Sequence, residues 1–210
     1  MLGKQVGHLI VNHYAGQYRL CGFIDDVLPP GVDVIDGITT LGSLADVSAM
    51  ADYSPESKSL AFAIGYSDMR ARGLALAKVL PLGYDIVSLI HPTASVEPSA
   101  SLGKGVVVLA GAVVDQYVTI GDCCYLHNGS IVGENSVLGE NNYLSAGTTF
   151  GGSVTVGSNN FFGINSTIVN DIDIGDNNFI NAASLVYKPV GDNLNIVEFR
   201  EQREVRHNQD

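Results

Sequence analysis

An apolar residue occupies every sixth position over almost half of this chain. The series begins at Ile90, ends at Val186 and contains 17 positions, all of them apolar. A regular period of this length is typical of short strands that wind into a parallel β-helix, in which each stepped side chain points into the core. The repeat therefore predicts a solenoid over this part of the chain, with an interior about one side chain wide.

A second period of 18 residues is superimposed on the first. Paired asparagines recur at positions 141–142, 159–160 and 177–178. Glycine follows the apolar step at the same spacing, at Gly103, Gly121, Gly139, Gly157 and Gly175. Eighteen residues are three hexads, so each coil should have three strands and three corners, with about five to six coils in all. Glycine and asparagine tolerate the left-handed backbone of tight corners, and stacked asparagine side chains favour hydrogen-bonded ladders.

The first part of the chain has a different pattern. Its apolar spacing predicts helices over residues 4–13 and 67–80. Buried strands are predicted over residues 19–24, 60–64 and 84–90. Alternating strands and helices favour one small parallel sheet, and hence an α/β unit.

The charge of the chain excludes several classes of protein. Eleven Lys and Arg residues stand against 22 Asp and Glu residues, which gives a formal net charge of −11. Nucleic-acid binding and polybasic membrane contact both need a basic face, so neither is expected. No apolar run reaches the roughly 18 residues of a spanning helix, and no signal peptide is expected at the start. Three cysteines are too few for a disulfide framework, so we expect a cytoplasmic protein.

Five segments, taken in order, resemble one family of sugar-modifying enzymes. They are GFIDD (22–26), ITTLGSL (38–44), AIGYSDMR (63–70), LIHPTASVEPSASLGKGVVV (89–108) and the hexads that follow. Over residues 19 to about 187 the chain is similar to the sialic-acid O-acetyltransferases and the bacillosamine-type nucleotide-sugar N-acetyltransferases. The resemblance implies a small Rossmann-like domain followed by a left-handed β-helix. It also implies acyl-CoA as co-substrate and a homotrimer with active sites between subunits.

The resemblance and the change of pattern near residue 88 divide the chain into three parts. Residues 1–87 are expected to form the Rossmann-like nucleotide-sugar domain, residues 88–187 the β-helix acyltransferase domain, and residues 188–210 a tail. The segment Gly3-Lys4-Gln5-Val6 matches the last glycine of the family's glycine-rich loop and the start of its first helix. Either the true start of the protein lies upstream, or the domain lacks its usual first strand. The family's Gly-x-Pro-Ala-Lys segment is missing after Val186.

Two side chains are candidates for the group that accepts a proton. The resemblance aligns Glu134 with the family's catalytic His on a coil corner, and His127 with a position that the family often fills with Asn. Acyl transfer from a thioester to an amine needs a base, a stabilised oxyanion and aligned partners. Glu134 would serve if partial burial favoured its protonated form, and His127 titrates near neutrality without help. A corner Glu is commonly a solvated charge and a lone His commonly structural, so both assignments stay open.

The resemblance also implies residues for the acyl donor. Gly151 and Gly152 match a glycine pair whose backbone N–H is directed at the thioester carbonyl. Gly152 is therefore the candidate for stabilising the oxyanion, and Gly151 is a candidate CoA contact. Gly163 and Asn165 match the segment that lines the pantetheine slot.

The predicted β-helix offers little positive charge to the phosphates of CoA. Residues 105–187 contain no Lys or Arg but hold seven acidic side chains. The cations that follow in sequence are Lys188, Arg200, Arg203 and Arg206. We therefore expect Lys188 to contact CoA and the pantetheine to be held by backbone groups, with either a modest affinity or an exposed nucleotide end.

Four residues are candidates for contact with the sugar nucleotide. Asp25 and Asp26 end a predicted strand, where ligands of parallel sheets bind. A turn or a helix cap is an equal alternative for these two residue types. Asp115 matches a polar corner residue that lies near the sugar in the family. Tyr143 occupies the position of a second family His, on the next coil.

These observations predict an acyl-CoA-dependent N-acyltransferase that transfers an acetyl or other short acyl group to a nucleotide-linked amino sugar in surface-glycan synthesis. The alternative is a trimeric scaffold or nucleotide-sugar-binding protein that has kept the fold and lost the catalytic His. A metal-dependent hydrolase on the same coil would need about three His at facing corners. The coils hold only His127, apart from His91 where they begin, so no metal is expected.

Overall fold

The structure, a computed structural model, describes residues 2–197 and divides them into an amino-terminal unit and a β-helix. The helices of the unit are α1 (Leu2–His13), α2 (Leu44–Ser48) and α3 (Met69–Val79), with short 3-10 helices at Ala51–Tyr53 and Leu80–Leu82. Its strands are β1 (Phe23–Ile24), β2 (Asp33–Ile35), β3 (Ile38–Gly42), β4 (Ser59–Leu60) and β5 (Asp85–Ile86). None of the helices within residues 2–197 is long and apolar enough to cross a membrane.

The helix α1 buries the apolar face that its sequence spacing defines. Val6, Leu9 and Ile10 are all buried, because residues three or four apart fall on one side of a helix. The two helices expected from the apolar spacing are confirmed as α1 and α3, each within a few residues of the predicted limits.

The strands of the amino-terminal unit form two separate sheets where one parallel sheet was expected. The first has the order β1, β3, β2, with β1 parallel and β2 antiparallel to β3. The antiparallel pair turns at Asp36 and Gly37, whose φ values of 45° and 84° match the two-residue hairpin turn that Asp-Gly favours. The second sheet pairs only β4 with β5. The segment predicted as one strand over 84–90 is divided, because its end joins the β-helix.

From residue 89 the chain winds into a three-faced parallel β-helix of two-residue strands. Face 1 contains β6 (Leu89–Ile90), β9 (Val107–Val108), β12 (Tyr125–Leu126), β15 (Tyr143–Leu144), β18 (Phe161–Phe162), β21 (Phe179–Ile180) and β23 (Asn195–Ile196). Face 2 contains β7 (Ser95–Val96), β10 (Val113–Val114), β13 (Ile131–Val132), β16 (Thr149–Phe150), β19 (Thr167–Ile168) and β22 (Leu185–Val186). Face 3 contains β8 (Ser101–Leu102), β11 (Thr119–Ile120), β14 (Val137–Leu138), β17 (Thr155–Val156) and β20 (Asp173–Ile174).

The hexad residues form the core of the β-helix. Leu126, Leu144 and Phe162 pair through successive strands of face 1, and each is 0 % exposed. Burial of one such side chain contributes about 1.5–3 kcal/mol before the entropy of ordering is counted. The predicted solenoid, with the hexads inside and three strands in each coil, is confirmed.

We call the turn from face 1 to face 2 the first corner, from face 2 to face 3 the second corner, and from face 3 to face 1 the third corner. At the third corner Asn141, Asn159 and Asn177 adopt left-handed conformations, with φ values of 56°, 63° and 58°. The asparagine that follows each of them points inward. The backbone N–H and Nδ2 of Asn160 both donate to Asn142 Oδ1, at 2.9 and 3.0 Å, so the expected asparagine ladder is confirmed.

The glycines that recur at the third corner serve a different purpose from the one expected. Gly121 and Gly139 do not have a positive φ. A Cβ on Gly121 would lie 2.6 Å from the carbonyl carbon of Gly139, and a Cβ on Gly139 would lie 2.7 Å from the carbonyl oxygen of Gly157. Glycine is therefore needed here because successive coils approach each other closely, and not because the backbone is left-handed.

The amino-terminal unit covers the outside of face 1. Its α1 packs in one apolar cluster with Leu89, Val107, Tyr125, Tyr143 and Phe161, which are at most 5 % exposed. This continuous cluster joins the unit to the β-helix, and the expected domain boundaries at residues 87 and 187 stay predictions.

A buried guanidinium holds α3 against the third corner. Arg72 is 1 % exposed; its Nε donates to Ile64 O at 3.0 Å and its Nη2 to Cys123 O at 2.8 Å. Its Nη1 donates to Asn141 Oδ1, and the guanidinium lies 4.8 Å from the centroid of the Phe62 ring. Burial lowers the pKa of Arg72, and no carboxylate of residues 2–197 pairs with it.

Candidate active site

A cleft of about 1660 Å³ lies in the amino-terminal unit and opens onto the β-helix. The first turn of α1, the loop that follows β1 and residues 64–67 form part of its wall. His127 and Tyr143 are the β-helix residues that line it, and Asp25 and Asp26 line it from the amino-terminal unit. The structure thus gathers four of the residues expected to form a site around one cleft.

His127 begins the first corner of its coil and is half-buried. The backbone N–H of Asn128 donates to His127 Nδ1 at 2.9 Å. A neutral imidazole whose Nδ1 accepts a hydrogen bond carries its proton on Nε2. Burial lowers the pKa of His127, because the charged ring loses hydration. His127 therefore presents a neutral ring with an Nε2–H group.

Tyr143 lies on the outside of face 1, within a stack of aromatic rings. Its ring centroid is 4.9 Å from that of Tyr125 and 4.9 Å from that of Tyr66, which reaches over from the amino-terminal unit. Burial, with a smaller contribution from Tyr66, raises the pKa of Tyr143 to about 12. The side chain is 2 % exposed, yet its hydroxyl bonds to nothing within the described part of the chain, so this hydroxyl is available to a ligand in the cleft.

Asp25 and Asp26 both make the local hydrogen bonds of a turn and a cap. Asp25 Oδ1 accepts from the backbone N–H groups of Val27 and Leu28, each at 2.9 Å. Asp26 Oδ1 accepts from the N–H of Leu44, at the start of α2, at 3.0 Å. The second carboxylate oxygen of each residue has no partner within residues 2–197. Asp25 therefore stabilises a turn and Asp26 the start of α2, and one oxygen of each carboxylate remains without a partner among the described residues.

Glu134 and Gly152 meet at the second corner, on successive coils. Glu134 is exposed, so the partial burial that its role as a base was expected to need is absent. A Cβ on Gly152 would lie 2.4 Å from Glu134 Oε1, so the carboxylate occupies the space that a side chain would fill. The N–H of Gly152 donates no hydrogen bond within residues 2–197, whereas the N–H of Gly151 donates to Ile168 O at 2.9 Å.

Two further candidates share the second corner. Asp115 is half-buried, and its Oδ1 accepts from the N–H of Gln116 at 2.7 Å. Lys188 is exposed, with its Nζ 5.3 Å from the centroid of the Tyr187 ring. The other expected cations, Arg200, Arg203 and Arg206, lie outside the described residues.

Gly163 and Asn165 lie at the first corner, two coils beyond His127. Gly163 is buried, and a Cβ on it would lie 2.4 Å from Ala182 N. Close contact between coils therefore accounts for this glycine. Asn165 is exposed and left-handed, with a φ of 56°.

The structure divides the candidates between the first and the second corner of the β-helix. His127, Gly163 and Asn165 occupy the first corner, and Tyr143 lies beside them on face 1. Asp115, Glu134, Gly151, Gly152 and Lys188 occupy the second corner. Within one chain, face 2 separates the first corner from the second. A single chain therefore does not bring His127 and Glu134 into one cleft.

Sequence reasoning missed Tyr66 and Arg72, which connect the amino-terminal unit to the β-helix. It also missed the aromatic stripe of Tyr125, Tyr143, Phe161 and Phe179. These four residues are 18 apart and each directly precedes a hexad position. Large apolar side chains recurring at an outward position were the available sign that face 1 is covered.

The comparisons with known proteins rest on structure. No protein-family model matches the sequence, and no curated protein matches it either. The fold matches a variant of perosamine N-acetyltransferase from Caulobacter crescentus in complex with CoA and GDP-perosamine. The TM-score is 0.80 and the identity 26 %, over 92 % of this chain and 90 % of that one. The acetyltransferase domain of PglB from Neisseria gonorrhoeae FA1090 matches with a TM-score of 0.77 and 25 % identity, over 88 % of this chain and 87 % of that one.

A third match, WeeI from Acinetobacter baumannii AYE, shows the same fold, with a TM-score of 0.81 and 19 % identity over 94 % of this chain and 92 % of that one. The three-faced parallel β-helix, covered on face 1 by the amino-terminal unit, thus has the architecture of the hexapeptide-repeat acyltransferases. The structural neighbours are nucleotide-sugar N-acetyltransferases of that family, and the resemblance predicted from the sequence is confirmed.

Proposed function

We propose that this chain is an acyl-CoA-dependent N-acyltransferase that transfers an acetyl or other short acyl group to a nucleotide-linked amino sugar. The observation that carries the proposal is the cleft that His127 and Tyr143 line together with the first turn of α1 and Asp25. The match to a perosamine N-acetyltransferase that holds CoA and GDP-perosamine supports it. Acyl-CoA and nucleotide sugars are cytoplasmic metabolites, so we infer a cytoplasmic enzyme of surface-glycan synthesis.

We infer that residues 1–87 are a Rossmann-like domain that binds the nucleotide. Lys4, Arg19 and Lys58 line the cleft in this unit, although the chain as a whole is acidic. The first N–H groups of α1 have no intrahelical acceptor within residues 2–197, and such groups favour an anion. Cations and free N–H groups together suit a nucleoside diphosphate, and the free oxygen of Asp25 or Asp26 suits a hydroxyl of the ribose or an N–H of the base.

We infer that the acyl donor lies along the β-helix of residues 88–187, whose left-handedness follows from the family resemblance. The N–H of Gly152, which has no acceptor among the described residues, suits the oxyanion of the tetrahedral intermediate. Gly151, Gly163 and Asn165 offer backbone groups to the pantetheine. Lys188 is the one cation within residues 105–197, so these residues fit the pantetheine better than the phosphates of CoA.

The transfer itself needs one proton acceptor. The sugar amine attacks the thioester carbon, the oxyanion forms and collapses, the C–S bond breaks, and CoA leaves as the thiolate. The proton of the amine passes to a base and finally to the sulfur. The Glu134 carboxylate, which lies against Gly152 at the second corner, is the candidate base.

A second copy of the chain would complete the site. His127 and Glu134 lie at different corners of one β-helix. The first corner of one subunit must therefore meet the second corner of a neighbour. Face 2, which lies between these edges, exposes Ile131 (39 %) and Leu185 (44 %). Exposed apolar side chains at this place favour association of copies, and we infer the homotrimer of the family.

Release of free thiol from acetyl-CoA tests the proposed function. The full-length protein is incubated with acetyl-CoA and a panel of nucleotide-linked amino sugars, each paired with its hydroxyl analogue. We expect steady release with at least one amine and little with its analogue. Glu134→Gln should lower kcat by about 100-fold or more if the carboxylate is the base, and Gly152→Ala should also lower it by displacing that carboxylate.

The exposure of Glu134 favours one alternative, a trimeric nucleotide-sugar-binding or scaffold protein without turnover. Binding of a nucleotide sugar by calorimetry, with no thiol release from any member of the panel, would support this alternative and contradict an enzyme. Thiol release with full rate in Glu134→Gln would contradict the assignment of the base alone.

A further inference from the structure

The two ring nitrogens of His127 have different surroundings. Nδ1 accepts the backbone N–H of Asn128 at 2.9 Å. Nε2 has no hydrogen-bond partner within residues 2–197, and the residue lines the cleft together with Tyr143. The backbone therefore fixes which nitrogen carries the proton and leaves Nε2–H as the donor that the ring offers.

This arrangement conflicts with a role for His127 as a base. A neutral imidazole accepts a proton at Nε2 only when its other nitrogen carries the hydrogen. A hydrogen on Nδ1 would point at the N–H of Asn128. The hydrogen bond between these two groups would then be lost, because two donors would face each other. Burial lowers the pKa of His127 as well, which further disfavours a doubly protonated ring.

The surroundings of Nε2–H indicate what it binds. The hydroxyl of Tyr143 also has no partner among the described residues, whereas the hydroxyl of Tyr125 donates to Gln5 Oε1 at 3.1 Å. Two unpaired polar groups of buried or half-buried side chains at one end of a cleft need partners from a ligand. Donation to the attacking amine would occupy its lone pair, so the suitable partner of Nε2–H is an oxygen.

Resting on the proposed function, we propose that His127 donates a hydrogen bond from Nε2 to an oxygen atom of the bound nucleotide sugar and takes no proton during the transfer. His127 is then a substrate-binding residue that aligns the acceptor. The proton must pass to another group, such as Glu134 of a neighbouring copy or the departing sulfur.

The tautomer is measured directly by long-range ¹H–¹⁵N NMR of the full-length protein labelled at its histidine rings, at pH 7.5. The signals of His127 are assigned by their loss in His127→Gln. We expect Nε2 to be protonated and Nδ1 to be unprotonated. A protonated Nδ1 with a free Nε2 would overturn the proposal. His91, whose Nδ1 lies 3.1 Å from Thr93 N and 2.9 Å from Thr93 Oγ1, provides a second histidine signal for comparison.

Kinetics distinguish a donor from a base. Gln offers an amide donor of similar reach, so His127→Gln should keep kcat and KM for the nucleotide sugar within about threefold. His127→Leu should raise KM about tenfold, with kcat changed less than about threefold. A fall of about 100-fold in kcat in both variants would identify a base and overturn the proposal. His91→Gln is the matched control and should change neither constant.

The two proposals fail in different ways. If no amino-sugar nucleotide supports thiol release, the proposed function fails while the NMR experiment still decides the tautomer. In that case the dissociation constant of a bound nucleotide sugar, compared between His127→Gln and His127→Leu, replaces KM. Equal constants for the two variants would then overturn the assigned donor.

Discussion

Arg72 is buried although its side chain carries a charge. Its guanidinium reaches two backbone carbonyls and the side chain of Asn141, and each of these acceptors would be left without that donor if Arg72 were truncated. No sequence pattern predicted it, because an Arg on a helix is ordinarily exposed. Only the approach of α3 to the third corner makes the side chain structural.

We expect Arg72→Leu to lower the free energy of unfolding by about 2–4 kcal/mol, since buried acceptors lose their donor. Urea denaturation of the full-length protein measures the change. Arg70→Leu, on the same helix but exposed, is the control and should stay within about 0.5 kcal/mol of the parent. Equal midpoints for the two variants would contradict the role assigned to Arg72.

His127 should also make stability depend on pH. Its folded-state pKa is lowered from 6.5, so the unfolded chain takes up a proton first as the pH falls. The contribution of the neutral ring to the free energy of unfolding is complete above about pH 6.5 and is lost as the pH falls below it. We expect unfolding free energy to fall more steeply between pH 7 and pH 5 for the parent than for His127→Gln. The other histidines are common to both proteins, so parallel curves would argue against a lowered pKa.

At the scale of elements, local pattern predicted some pieces well and others badly. The two helices and the β-helix were predicted because, in each, apolar residues recur at a regular spacing that places them on one buried side. The single parallel sheet was wrong, because the Asp36-Gly37 turn makes β2 antiparallel to β3 and the end of segment 84–90 joins face 1. That turn carried a hairpin signal in the sequence, whereas the choice of partner for each short strand depended on distant contacts.

Two residues of the aromatic stripe on face 1, Phe161 and Phe179, should contribute very differently to the free energy of unfolding. Phe161 is 5 % exposed under the amino-terminal unit, and Phe179, one coil further, is 37 % exposed. We expect Phe161→Ala to cost about 3–5 kcal/mol, because it opens a cavity in the shared cluster, and Phe179→Ala to cost about 1 kcal/mol. Chemical denaturation of both variants gives the comparison. A smaller loss for Phe161→Ala than for Phe179→Ala would mean that the unit does not pack on face 1.

At the scale of the whole molecule, the candidate residues suggest more than one chain. His127 lies at the first corner and Glu134 at the second, separated by face 2 with its exposed apolar side chains. We expect Ile131→Lys to weaken assembly and to lower kcat/KM by about tenfold or more, while circular dichroism stays unchanged. Sedimentation equilibrium measures the assembly.

Leu74→Lys is the control for this experiment, because Leu74 is 59 % exposed on α3, away from face 2. It should leave both the oligomeric state and the activity at the parental level. A parent protein that is monomeric at micromolar concentration and fully active would contradict a site completed by a second copy.

The sequence by itself determined the solenoid, because a period of six with 17 apolar steps has one efficient way to bury its side chains. It also determined the asparagine ladder and the two long helices, whose signals are local. The tertiary structure decided which face of the β-helix is covered and how Asp25 and Asp26 share a cleft with His127. These features depend on contacts between residues as distant in sequence as Gln5 and Tyr125, and a local pattern carries no record of them.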